Sequence, residues 1–456
     1  MKPKPYSFRF PSVKPKSHDT SNQAPDFASA RDNDQMLLEL QRDTFGYFLH
    51  ETNSENGLVM DKNKRGWPAS IAAVGLALTA YPVGVERGFL KRADAVKRIL
   101  SALRFFGQSE QSKEKTATGY KGFYYHFLDM KTGRRAWQCE LSTIDSALLF
   151  AGMLTTVAYF DRDTGDEREL RDLAHKLYAR ADWRWAQNGA DTVTMGWKPD
   201  SGFLPYRWQG YDEALILYIL GLGAPDQSLG DASYTAWADS YKWKKIYGHE
   251  FLYAGPLFIH QLSHVWIDFR GIQDDYMRKR GIDYFENSRR ACRIQQQYAI
   301  RNPLGFKSYD DLCWGITASD GPGFTTRKLD GVTRQFYDYI ARGAPFGPDD
   351  GTLAPWAVVA ALPFAPEIVL PSIQFFINHL RLKEAHPYGF KATFNPTFSV
   401  SGKEYGWVSP WHYGINQGPI VTMIENYRTE MIWELMRSST FIRAGLKRAG
   451  FTGGWL

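Results

Sequence analysis

The segment ELSTIDSALLFAGMLTTVAYF, residues 140–160, decides the fold. It opens on a polar cluster carrying two acids, Glu140 and Asp145, and continues as a run that is apolar on nearly every side. A helix of that kind is buried over most of its surface and belongs inside the molecule. Ser142 or Thr143 can cap it, which puts Asp145 in the first turn, where the helix dipole favours a negative side chain. Working outward, the pattern recurs at RGWPAS ahead of residue 71, QGYDEA at 209–214, HQLSH at 260–264, DDGTLAP at 349–355 and INQGP at 415–419. Each opening introduces a run rich in Ala, Leu, Ile and Val, such as LILYILGLG after Ala214. Amphipathic stretches at 90–106, 166–187, 278–298 and 430–449 lie between them and read as outer helices. Inner and outer helices alternating in this way predict an all-α (α/α)6 toroid with long aromatic loops. The parallel inner helices then bring their N-termini to one mouth, lined by Glu140, Asp145, Asp212, Glu213, Asp349 and Asp350.

The alternation runs through the chain without a Ser/Pro-rich linker, so residues 31–456 are expected to form a single domain. Residues 1–30, basic and rich in Pro and Ser, are expected to be a flexible arm. That N-terminus has no apolar stretch of the kind a signal peptide needs, so the chain as written is expected in the cytoplasm, or in the periplasm if an export signal is missing from it. No run approaches the roughly 20 apolar residues of a membrane span. A net charge of +6 is modest for 456 residues, and the one dense basic run, around 278–293, falls on an outer helix. A solvated face explains it, and no nucleic-acid partner is expected. Cys139, Cys292 and Cys313 have neither metal spacing nor a disulfide framework. The unusual quantity is the aromatic content, 15 Trp, 25 Tyr and 29 Phe, with Trp197, Tyr206, Trp208, Trp314, Trp407 and Trp411 in loops beside Gly and polar groups. Rings presented that way suit the apolar faces of sugars.

Glycoside hydrolysis commonly uses two carboxyl groups flanking the scissile bond. Asp145 and Glu213, each at the first turn of a different inner helix, are the candidate catalytic pair and should face one another across the mouth. The expected substrate contacts are the acids Glu140, Asp212, Asp320 and Asp350, the rings of Trp208, Trp314, Trp407, Trp411, His260 and His264, and Gln417. Asp320 in TASDGP serves equally well as an Asx-turn residue. His260 and His264, four apart, would share a helix face with Asp268 one turn on; Gln261 stands where the zinc-protease pattern has Glu, so no metal is expected. Glu425, deeper in the last inner helix, is expected to be a structural acid paired with Arg428 or a neighbouring helix. GPG at 321–323 lacks the strand–loop–helix context of a nucleotide site.

The strings STIDSALLFAG, YARADWRWAQ, GYDEALILYILGLGAP, HQLSHVWIDFRG, DYFENSRRAC, WGITASDGPGF, DDGTLAPWA and QGPIVTMIENYR span about 140 to 450. Together they resemble the glucoamylase-like domain family that includes the endo-β-1,2-glucanases of glycoside hydrolase family 144 and a domain of cyclic β-1,2-glucan synthases. The resemblance implies an (α/α)6 barrel, a β-1,2-glucan or sophoro-oligosaccharide substrate, and inverting hydrolysis without a cofactor. It makes Glu213 the acid, acting directly or through a substrate hydroxyl, and pairs it with Asp145. It also leads one to expect Asp before QGP, where this chain has Asn416. Transglycosylation or phosphorolysis of the same glucan, a non-catalytic glucan-binding protein, and a polysaccharide lyase using Tyr and His remain open as alternatives.

Overall fold

The computed structural model describes residues 30–384, 388–403 and 405–456, so most of the expected arm lies outside the described residues. The molecule is helix-rich, about 45% helical, with short strands gathered at the loops. The helices are α1 (Ala30–His50), α2 (Ile71–Glu86), α3 (Arg92–Gln108), α4 (Thr143–Tyr159), α5 (Gly165–Ala179), α6 (Trp183–Gln187), α7 (Leu215–Gly223), α8 (Ala232–Ala238), α9 (Asp275–Arg280), α10 (Tyr284–Arg301), α11 (Pro355–Ala360), α12 (Pro366–Asn378), α13 (Gly414–Thr429), α14 (Met431–Ser438) and α15 (Thr440–Arg448).

The apolar runs behave as their composition dictates. All nine residues of α7 and all six of α11 are buried, as is α2 from Ile71 to Gly84 and α4 from Thr143 to Thr156. These segments adjoin one another in sequence order. Helices α2 and α4 touch at Gly75 and Gly152, where an added Cβ on Gly152 would collide with the Gly75 carbonyl. Helix α4 meets α7, and the Ile216 amide of α7 donates to Ser263 Oγ. Gln261 Nε2 donates to Ala357 O of α11, α11 packs on α13, and α13 returns to α2. The amphipathic α1, α3, α5, α10 and α12 keep polar residues outside this layer.

Three expectations about the inner segments need correction. The GPLFIHQLSHVWIDFRG stretch is not one helix but two short 3-10 turns, Leu257–His260 and Leu262–Val265. The side chains of Ser263 and Gln261 serve neighbouring backbones, and the His264 carbonyl, which a continuous helix would pair internally, accepts from Trp433 Nε1. Asp268 does not continue a histidine face; it is paired with Arg270 and Arg437. Helix α7 starts at Leu215, so Asp212 and Glu213 lie in the approach to it and not in its first turn.

A five-stranded antiparallel sheet sets the mouth. Its strands, in spatial order, are Gly119–Tyr120, Phe123–Tyr125, Leu141–Ser142, Gly196–Lys198 and Gly202–Phe203. Tyr124 pairs with Ser142 and Leu141 with Trp197, which fixes the N-cap of α4. A second small pairing, Ser70 with Phe127, fixes the N-cap of α2.

Candidate active site

Asp145 sits where these pairings aim it. Ser142 Oγ caps α4 by accepting from the Asp145 amide at 3.2 Å, and its own hydroxyl donates to Asp145 Oδ2. His126 stands between the openings of α2 and α4: the Ile71 amide donates to its carbonyl, and its own amide donates to Glu140 O. Its ring lies flat on Phe127 with centroids 3.9 Å apart. Nδ1 is 2.8 Å from Glu140 Oε1 and Nε2 is 3.7 Å from Asp145 Oδ2. Burial alone would favour the neutral ring, but the charges of Asp145, Glu140 and Asp61 outweigh it and push His126 up to about 9. Burial would likewise raise Glu140, yet its bond to His126 holds it below the usual carboxylate range.

Glu213 faces the opposite environment. Among the described residues its carboxyl has no hydrogen-bond or ion-pair partner, and desolvation, reinforced by the Asp145 and Asp212 charges, pushes it up to about 8, with His126 opposing. It is therefore a carboxylic acid at neutral pH, yet part of its surface meets solvent. Asp212 beside it accepts from the Ala214 amide at 2.9 Å and Trp237 Nε1 at 3.1 Å, and burial takes it up to about 7.

Three further residues join this recess that sequence reasoning missed. Asp61, on the loop before α2, is tied by its amide to Pro68 O and by its carbonyl to the Gly414 amide at the start of α13. Its carboxylate accepts Trp67 Nε1 at 3.1 Å, and burial pushes it up to about 6. Lys62 lies over the Trp67 ring at 3.9 Å and donates to Tyr413 Oη at 3.2 Å. Tyr339, more than half exposed, has a hydroxyl that feels Asp61, Glu213, Asp320 and Asp145 at once. The sole trace in sequence was that Asp61 and His126 lie in the loops leading to two of the openings.

Aromatic side chains divide between mouth and core. Trp411 shares Lys62 and Lys64 with Trp67, their ammonium groups 5.8 Å from its ring. Trp137, unanticipated, is 56% exposed and meets Trp67 edge to face at 4.7 Å. Trp208 is buried and braces α4, its Nε1 donating to Thr143 Oγ1. Trp314 is fully buried and donates to Ser372 Oγ of α12, so it belongs to the core and not to the mouth. Trp407 lies half-buried in a two-stranded pairing with Asn395.

Several expected contacts are occupied by protein. Asp350 is fully buried in a two-pronged pair with Arg342 at 2.8 and 2.9 Å and also accepts the Tyr337 amide; it anchors the loop that carries Tyr339. Asp349 is claimed by the Tyr298 and Tyr309 hydroxyls. Asp320 accepts from Thr393 and Ser409 hydroxyls, one on each oxygen, which ties two mouth loops together. Gln417 is buried and donates to Phe390 O. His260 donates Nε2 to Ala254 O and His264 contacts Ser288 Oγ; burial lowers them to about 4 and about 3, marking two neutral core rings. Asn416 lies buried in the first turn of α13. Among the described residues no group of three or more His, Cys, Asp or Glu is disposed to hold a metal ion, and no helix is long and apolar enough to cross a membrane.

Comparison with known proteins places the chain. The glycoamylase family model, described as "putative glucoamylase", matches residues 205–440. A Bacteroides uniformis structure of the same description is 32% identical with a TM-score of 0.82, covering 93% of this chain and 98% of that one. The Chitinophaga pinensis endo-β-1,2-glucanase, solved with sophorotriose and glucose, is 25% identical with a TM-score of 0.82, over 93% and 99% of the two chains. The Parabacteroides distasonis exo-β-1,2-glucooligosaccharide sophorohydrolase (non-reducing end) is 27% identical over 452 residues. That match takes in 91% of this chain but spans only 58% of the relative's length.

Proposed function

We propose that this chain, which belongs to the glycoamylase family, hydrolyses β-1,2-linked glucans or their sophoro-oligosaccharides with inversion at the anomeric carbon. What supports the chemistry is that Glu213, without a hydrogen-bond or ion-pair partner among the described residues and pushed up to about 8 by burial, feels the charge of Asp145, beside which His126 stands. Glu213 is the acid that protonates the leaving oxygen, directly or through a substrate hydroxyl; Asp145 is the carboxylate that activates water. The names of the Chitinophaga and Parabacteroides proteins support the linkage. The same reading takes residues 31–456 as one (α/α)6 toroid, for which the chain of contacts α2–α4–α7–Ser263–Gln261–α11–α13–α2 argues.

The test is incubation of purified protein with linear β-1,2-glucan, products resolved by size and the nascent anomer read by proton NMR. Oligosaccharides appearing first as the inverted anomer are expected. Retention of configuration would sink the water-activation role of Asp145, and an intact glucan would sink the hydrolase reading.

A further inference from the structure

His126 has no part in the acid–base pair, yet its two ring nitrogens face two of the site's carboxyl groups, Glu140 and Asp145. It comes from the short connection between strands, where two backbone bonds, to Ile71 and Glu140, lock its position relative to the starts of α2 and α4. One face is covered by Phe127. One nitrogen lies 2.8 Å from a Glu140 oxygen and the other 3.7 Å from an Asp145 oxygen. A neutral imidazole carries a single N–H and can donate toward only one of these; the imidazolium donates toward both.

We propose that His126 is a cationic positioning residue: its imidazolium grips Glu140 through Nδ1 and faces Asp145 through Nε2, so that the Asp145 carboxylate is held in register with Glu213. This deepens the hydrolase reading and rests on it for the identity of the reaction. The groups facing the ring account for its charge. Asp61 from the loop before α2, Glu140 and Asp145 on the α4 side all favour the cation, against the cost of burial. Glu213 feels it from the approach to α7, and the positive groups in the neighbourhood, Lys62 beside Asp61 and Lys198 beside Glu140, act on those acids. Burial and its neighbours push Glu213 up to about 8 while the surrounding acids push His126 up to about 9, so near neutral pH the ring carries its charge while the acid carries its proton.

The ring also opposes the upward push on Glu213. Removing its charge therefore has a signed consequence: Glu213 should hold its proton to still higher pH. In His126→Gln, which keeps a donor for Glu140 but no charge, kcat should fall on the order of tenfold to a hundredfold, and the alkaline limb of kcat against pH should move upward. His126→Lys restores a cation and should bring the limb back toward its original position. A merely structural histidine would lower the melting temperature in both variants and leave the limb where it was. The companion measurement needs no turnover: the ring carbon and nitrogen NMR shifts of His126 in the wild-type protein, followed from pH 6 to 10. An imidazolium at pH 7 that titrates near 9 is expected; a neutral ring at pH 7, or a His126→Gln enzyme with the parental kcat and limb, overturns the proposal. A wild-type protein inactive on β-1,2-glucan would remove the hydrolase reading, and the NMR titration would then decide the charge state of His126 by itself.

Discussion

Glu425 and Glu213 are both enclosed acids of the inner layer, and their surroundings are opposite. Glu425, nine residues beyond Asn416 along α13 and so about 13 Å from the mouth, accepts from Gln41 and Thr429 and pairs with Arg87 at 3.0 Å. The partner is Arg87 and not Arg428, which binds Asp34 instead. Glu213 has desolvation and two like charges for company and, among the described residues, no hydrogen-bond or ion-pair partner. A buried charge with every oxygen satisfied is an element of the scaffold; one left unsatisfied costs free energy that folding alone gives no reason to retain. The contrast separates Asp350, clasped by Arg342, from Glu213 just as cleanly, although both are acids at the openings of inner segments.

The largest effect should come from Glu213→Gln. The amide has nearly the same shape but cannot give up a proton, and loss of a general acid removes typically 10²–10⁴ in rate. The change should also reveal itself in stability. The folded-state value, about 8, lies above the ordinary 4.5, so between those limits the native state binds more protons than the unfolded chain and stability falls as pH rises. Wild type and variant should melt alike near pH 4, and the variant should melt higher near pH 9. Equal melting at both ends would show that Glu213 is not an enclosed, unpartnered acid. Activity in the parent should fall through about pH 8 as the acid ionises.

Glu425→Gln should do the reverse. It breaks a pair whose glutamate is fully buried and whose arginine is only 24% exposed. Breaking a buried pair costs roughly 3–5 kcal/mol, and the partial exposure of Arg87 puts the expectation at about 3. Chemical denaturation should show that loss while kcat and KM remain parental. A kinetic defect without a stability loss would erase the distinction between the two acids.

How far the sequence carried this can be judged on the same residues. Runs apolar on all sides identified α2, α4, α7, α11 and α13 as inner segments, because burial on every face leaves a mark on composition. That mark does not reveal backbone type, which is why the 255–271 stretch passed for one helix. The openings supplied Glu140 and Asp145, both beside His126, and Glu213, which feels the Asp145 and Asp212 charges. Asp61 and Tyr339 escaped because loops deliver them, and His126 because it reaches Asp145 only through strand pairings between distant segments. Asp320, Asp350 and Trp314 are each already bonded within the protein; residue type announces chemistry but not whether Ser409, Arg342 or Ser372 already holds it.

The smallest predicted effect concerns the same division among the tryptophans. Trp137 and the following Gln138 both take left-handed backbone, φ 53° and 50°, a conformation unusual for side-chain-bearing residues and one that collects at functional sites. The turn sets Trp137 against Trp67 with most of its own face open, whereas Trp67 is already covered by Lys62 and Lys64. A pyranose ring arriving at the mouth would therefore stack on Trp137. Aromatic contacts of this size are worth about 1 kcal/mol, which corresponds to about fivefold in KM. Trp137→Ala should raise KM for β-1,2-glucan by about that factor, leave kcat within about twofold, and lower the melting temperature modestly through the lost contacts with Trp67 and Phe127. Trp314→Phe is the control: it empties part of a packed core and removes the bond that Ser372 Oγ accepts, so the melt should drop and KM should not move. If Trp137→Ala binds short oligosaccharides as tightly as the parent and weakens only for longer ones, the ring holds a sugar distant from the scissile bond. If neither length is affected, Trp137 is not part of the substrate path.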